Sequence, residues 1–161
     1  MTVRTFLTGA AILATAALPL AVTPPVQADS LQPLHLVNAA WETCLDSNAA
    51  GQAALNDCAN SATQGWAMPD TGPTTNGTTR IKDAADAECL RTPLAVSTTC
   101  TLTGYQSGAE LWVVQDAGDG RVFLKNVQLA GANCLSSDGD GTLVLRECDP
   151  DDAHTQWYLQ W

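Results

Sequence analysis

The stretch "CLDSNAAGQAALNDCANSATQGW", residues 44–66, decides how this chain folds. It opens on Cys-Leu-Asp, reaches a second cysteine at Cys58 and closes on Gln64-Gly65-Trp66. Two more copies of this frame follow. Cys44, Cys89 and Cys134 are spaced by 45 and 45, and Trp66, Trp112 and Trp157 by 46 and 45. The segments ahead of the first cysteines match as well: "HLVNAAWETCL", "RIKDAADAECL" and "FLKNVQLAGANCL" each give a short apolar-polar run, an Asn or Asp, a polar loop and Cys-Leu. A fixed period of this size constrains the whole fold, because each unit must bury its apolar face against its neighbours.

The copies read as strands. "LWVVQ", "RVFLKNV", "TLVLREC" and "QWYLQW" are short, rich in β-branched and aromatic residues, and bounded by turn chemistry. "DAGDG" (116–120) and "SDGDG" (137–141) mark tight turns, and "PDTGPTTNG" (69–77) is the longest junction. A solenoid is the rival architecture. Three units without distinct capping segments fit a closed arrangement better, and closure removes exposed strand edges. The expectation is an all-β chain of three repeats of about 45 residues, at about 34–77, 78–120 and 121–161.

Six cysteines allow 15 pairings. Equivalent units favour one bridge inside each copy: Cys44–Cys58, Cys89–Cys100 and Cys134–Cys148. Each closes a small loop and contributes roughly 3 kcal/mol by loop entropy. Zinc is the alternative, but no Cys-x-x-Cys pair occurs, and His35 and His154 are scattered. Trp66, Trp112 and Trp157, one per repeat, are expected to form a shared core around a pseudo-threefold axis.

Residues 1–28 read as a secretory signal peptide. Arg4 is followed by an apolar run from Phe6 to Val22 and by Val26-Gln27-Ala28, small residues suited to cleavage. A membrane anchor is the competing reading, but Pro19, Pro24 and Pro25 interrupt a run already short for a span. The expected location is extracellular, with 29–161 as one domain, and the even cysteine count suits that compartment. The formal net charge of −10 argues against nucleic acid and anionic membranes as partners.

The pattern Cys-Leu-Asp, Cys, Gln-x-Trp, repeated three times over about Leu34 to Trp161, resembles the ricin-type β-trefoil lectin domain. The resemblance implies twelve strands in three four-stranded units, six forming a barrel and six forming capping hairpins. It also implies up to three shallow sugar pockets. Each would use a carboxylate two residues after the first Cys, an aromatic two before the second Cys, a polar side chain four before it, the Gln of Gln-x-Trp, and the residue before that Gln. A charged acceptor strengthens hydrogen bonds to hydroxyls, and sugar C–H faces pack on rings.

Mapped onto this chain, the resemblance makes Asp46, Asn56, Gln64 and Thr63 the ligand-binding candidates. The first repeat keeps the acid Asp46 and Gln64, with Asn56 at the aromatic position and Ala54 at the polar one. A turn-capping role is the plainer alternative for Asp46, and loop-tying for Gln64. For Trp41, three residues before Cys44, there are two readings, a ring offered to this pocket from another direction and core or rim packing, and packing is favoured. The second repeat has Arg91, Thr98, Val96 and Glu110 at the matching places, with Arg91 and Glu110 a candidate ion pair, and reads as sugar-silent. The third has Ser136, Arg146, Val144 and Thr155, with Gln156 displaced by one and His154 ahead of it, and reads as doubtful.

Nothing points to chemistry. "DGDGTLVLRECD" (138–149) starts like a calcium loop but puts Thr142 and Leu143 where a ligand and the turn glycine belong. No nucleophile–base arrangement is indicated, and no metal or cofactor is expected. The leading expectation is a secreted, non-catalytic, carbohydrate-binding module with at most one weak site, in the first repeat. Its ligand would be a galactose-type or plant or cell-wall glycan. The alternative is a sugar-silent, disulfide-stapled scaffold whose loops bind an extracellular protein.

Overall fold

The computed structural model describes residues 33–48, 51–69, 77–92, 94–97, 100, 105–131 and 133–161. The expected leader, most of the 69–77 junction and Thr98 lie outside these. The described residues contain thirteen short strands, three 3-10 turns and no α-helix. The first repeat holds β1 (His35–Asn38), β2 (Cys44–Ser47), β3 (Ala53–Asn56) and β4 (Trp66–Ala67). The second holds β5 (Thr78–Thr79), β6 (Lys82–Asp83), β7 (Cys89–Arg91), β8 (Ala95–Ser97) and β9 (Trp112–Gly118). The third holds β10 (Arg121–Asn126), β11 (Cys134–Ser137), β12 (Leu143–Arg146) and β13 (Trp157–Gln160).

Pairing closes a ring. β1 pairs with β13, β13 with β10, β10 with β9, and β9 with β5. β6 continues the path of β5 past Arg80 and Ile81 and pairs with β4, and a bridge between Trp66 and Leu34 returns to the start of β1. Three hairpins, β2–β3, β7–β8 and β11–β12, stand off this ring. This is the trefoil that the repeats predict. The thirteenth strand arises because one barrel strand is broken into β5 and β6.

Each repeat supplies three large apolar side chains with 0 % exposure: Leu36, Leu45 and Trp66; Ile81, Leu90 and Trp112; Leu124, Leu135 and Trp157. Burial of such side chains stabilises by about 1.5–3 kcal/mol apiece. The indoles are also satisfied as donors. Trp66, Trp112 and Trp157 donate from Nε1 to the carbonyls of Leu45, Leu90 and Leu135, each at 2.9 Å. Each tryptophan is therefore anchored to the Cys-Leu of its own repeat.

Joints between repeats also follow the threefold pattern. Ala39, Ala84 and Val127 donate backbone N–H groups to the carbonyls of Gln156, Gly65 and Leu111, at 2.9, 2.8 and 3.0 Å. The acceptor is the residue before the tryptophan of the preceding repeat in the ring. The loop that joins each barrel strand to its hairpin thus leans on the neighbouring repeat. Buried Asn38 and Asn126 reinforce this from Nδ2, donating to the carbonyls of His154 and Ala109, both at 2.9 Å. Asp83 takes the third such position. Having no donor, it accepts from the Ser47 hydroxyl instead.

The sulfur bridges are Cys44–Cys58, Cys89–Cys100 and Cys134–Cys148, with Cα separations of 4.9, 5.1 and 5.2 Å. Sequence separation is 14, 11 and 14, so the second hairpin is the short one. The "DAGDG" turn joins β9 to β10 with Gly118, Asp119 and Gly120 all at positive φ, a backbone that glycine adopts without the penalty of a β-carbon.

Candidate functional site

In the first repeat, β2 and β3 pair with Cys44 opposite Asn56 and Asp46 opposite Ala54. Alternation along a strand then puts Asp46 and Asn56 on one face, diagonally related. Asn56 donates from Nδ2 to Asp46 Oδ2 at 3.2 Å, and Gln64 donates from Nε2 to the same oxygen at 2.9 Å. Both bonds fall on Oδ2, and among the described residues Oδ1 has no partner. Asn56 is exposed and Asp46 half-buried, so a carboxylate oxygen and an amide face outward together.

Gln64 works from below. It is 2 % exposed, its Oε1 accepts from Ala59 N–H at 2.7 Å, and its Nε2 also reaches the Asp57 carbonyl at 3.0 Å. One side chain therefore ties down the loop around Cys58 and fixes the Asp46 rotamer. Thr63 turns its hydroxyl to Ser61 at 2.8 Å, while its carbonyl accepts from Ser47. Ser61 caps the 3-10 turn Ala62–Gln64 that presents Gln64. Of the four candidates, Asp46 and Asn56 share the outward face of the hairpin, Gln64 braces Asp46 from below, and Thr63 belongs to the turn.

The second repeat departs from the sequence expectation in two ways. Counting back from Cys100 puts Thr98 and Val96 at the aromatic and polar positions. The strand pairing instead sets Ser97 opposite Cys89 and Ala95 opposite Arg91. The shorter hairpin shifts the register by one, and a one-residue slip exchanges the faces of a strand. The two members of the expected ion pair also differ in setting, Arg91 being exposed and Glu110 only 4 % exposed.

In the third repeat Ser136 is fully buried and its hydroxyl donates to the His154 carbonyl at 3.1 Å. It offers a ligand nothing. Thr155 takes over loop-tying, donating to the carbonyls of Asp149 and Asp152 at 3.0 and 2.9 Å. Gln156 adds a bond to the Pro150 carbonyl at 2.7 Å. The "DGDG" turn is a hairpin turn, with Asp140 accepting from Thr142 N–H at 3.0 Å. Hydrogen bonds from the Thr142 side chain and backbone hold the Asp140 carboxyl below its usual range.

Sequence reasoning placed Trp41 in core or rim packing, and its actual surroundings come from another repeat. The residue is 44 % exposed, and its indole stands over the third repeat with its centroid 5.5 Å from the His154 ring at 58°. His154 Nδ1 is 2.7 Å from Asp152 Oδ1. Burial alone would raise the Asp152 pKa, but hydrogen bonds from the His154 side chain and backbone, with the charges of His154 and Arg146, outweigh it and leave it lowered. Arg146 pairs with Asp138 on the adjoining hairpin.

The family profile of the ricin-type beta-trefoil lectin domain matches residues 32–157. No curated protein matches the chain by sequence. Among solved structures, the designed threefold-symmetric protein ThreeFoil superposes with a TM-score of 0.64 at 18 % identity, over 79 % of this chain and 96 % of that one. SeviL, solved with an asialo-GM1 saccharide, gives 0.61 at 17 % over 81 % and 97 %. The GlcNAcα1-4Gal releasing endo-β-galactosidase from Clostridium perfringens gives 0.67 at 14 %, over 81 % of this chain but 32 % of the enzyme. At these identities the structures speak for the fold alone. With three in-frame repeats, three internal bridges and a profile match across nearly all the described residues, this chain belongs to the ricin-type beta-trefoil lectin family.

Proposed function

We propose that this protein is an exported, non-catalytic carbohydrate-binding module whose first repeat carries a sugar site on Asp46 and Asn56, braced by Gln64. The observation that carries this reading is the half-satisfied Asp46 carboxylate. Two amides hold Oδ2, while Oδ1 remains open beside an exposed Asn56. A braced, charged acceptor suits a pair of sugar hydroxyls and makes stronger bonds than a neutral one. With no ring at the stacking position, affinity at this site is modest: a Kd near 1 mM corresponds to about −4 kcal/mol.

Galactose-type glycans are the first probes to use. The two clostridial enzymes with matching trefoil regions, the endo-β-galactosidase and an exo-beta-1,3-galactanase, carry galactose in their names. Xylan- and arabinan-derived oligosaccharides complete the panel. Glycan-array screening followed by calorimetric titration of wild type and Asp46→Ala tests the site. The expected result is saturable binding that Asp46→Ala weakens about tenfold or more, in line with about 1.5–3 kcal/mol for hydrogen bonds to a charged group. Equal binding by both proteins removes Asp46 from the site. Capture of a culture-medium protein that ignores competing sugar would favour the scaffold reading.

A further inference from the structure

The third repeat has lost its own acceptor and stacking residue, yet an aromatic ring has reached it from outside. Trp41 belongs to the β1–β2 loop of the first repeat, and the joint between Ala39 and Gln156 carries that loop onto the third. The fold does not require an aromatic there. At the matching position, three residues before the first cysteine, the other repeats have Asp86 and Gly131. The ring is nonetheless fitted. A β-carbon at Gly139 would stand 2.9 Å from Trp41 Cζ2 and 3.2 Å from Cη2, so a glycine in the β11–β12 turn admits the indole edge. One edge is supported, His154 stands beside it, and 44 % of the residue stays open.

Half-exposed hydrogen-bonding groups adjoin the two places where this ring touches the third repeat: Asp138 directly precedes Gly139, and Asp152 is bonded to His154. Arg146 and Asp138 form an ion pair with side-chain exposures of 44 % and 42 %, and His154 and Asp152 are similarly accessible at 37 % and 30 %. An open indole bordered by paired guanidinium, carboxylate and imidazole groups combines a stacking face with directional donors and acceptors. Such a mixture matches a pyranose ring, which has an apolar C–H face and a rim of hydroxyls. We infer that the first and third repeats together build a second carbohydrate subsite, with Trp41 as the platform and Asp138, Arg146, Asp152 and His154 as the hydroxyl-binding rim. This rests on the carbohydrate-binding reading above but not on Asp46.

The test follows the indole N–H signals of 15N-tryptophan-labelled protein during titration with galactose, lactose, xylobiose and arabinobiose. Signals of Trp66, Trp112 and Trp157, whose N–H groups are buried and bonded, report the intact fold. In wild type and in Asp46→Ala alike, at least one sugar moves the Trp41 signal saturably. Trp41→Ala lowers the affinity left in Asp46→Ala at least tenfold, and Trp41→Phe restores most of it. Gly139→Ala displaces the ring and weakens binding although the tryptophan itself is retained. A Trp41 signal unmoved at saturation, with all binding abolished by Asp46→Ala, overturns this subsite and leaves the first-repeat site standing. Failure of every sugar to bind wild type overturns both. If Trp41→Ala loses its core indole signals, the wild-type titration alone decides.

Discussion

The indole N–H of Trp112 shows how much one atom can carry. It lies in the core and donates to the Leu90 carbonyl, itself the second residue of a Cys-Leu pair. Trp112→Phe keeps an aromatic ring but leaves that carbonyl without its donor, and a buried unsatisfied group costs about 1–3 kcal/mol. A loss of stability in that range, read from urea midpoints, is expected, with similar losses for Trp66→Phe and Trp157→Phe. Asp152 gives a prediction in pH. Its pKa is lower in the folded protein than in the unfolded chain, so its ionised form stabilises the fold. That contribution is complete above about pH 4, near the unfolded value, and is lost as pH falls through the depressed folded value. Urea midpoints at pH 7 and pH 3 should therefore differ more for wild type than for Asp152→Asn. The tryptophan and cysteine positions were legible because periodicity alone exposes them. Trp41 was not, because its contact with His154 crosses to another repeat and depends on how a loop leans.

Elements show where local counting holds and where it fails. The first and third hairpins span the same cysteine separation, so counting back from the second cysteine lands on the correct strand positions, Asn56 and Arg146. The second hairpin is three residues shorter between its cysteines, and counting from Cys100 slips the frame by one. Sequence holds the spacing between the cysteines, but the strand pairing decides which residue faces which. The 3-10 turn Ala62–Gln64 is a second case. Its Gln64 was legible as loop-tying, but the geometry adds that one amide holds the Cys58 loop and the Asp46 rotamer together. Gln64→Ala should thus lower stability by about 1–3 kcal/mol through the freed loop and weaken sugar binding as well. Asp46→Ala should weaken binding while costing less stability than Gln64→Ala, because it removes one of the bonds of Gln64 and leaves those to Ala59 and Asp57 in place. Thermal melts run beside sugar titrations on the two variants separate these effects.

At the scale of the molecule, the ring closes only when β13 is in place. β13 lies between β1 and β10 and brings Trp157 into the core. A chain truncated before Ala153 loses a barrel strand and one of the three central indoles, and exposes two unpaired edges. It should show no cooperative thermal transition, while deletion of Trp161 alone, 83 % exposed, should leave the melt unchanged. Closure was legible from three equal repeats. The break of one barrel strand into β5 and β6 was not, because it depends on how the chain bends past Arg80 and Ile81.

The register of β1 against β13 has a practical side. His35 faces Gln160, so whatever precedes the first strand departs from beside the point where the last one finishes. A sample tethered just ahead of His35 and one tethered just after Gln160 would be held from neighbouring points. The two linkages to a chip or bead would be interchangeable, and a partner appended at either point would hang from a single pole.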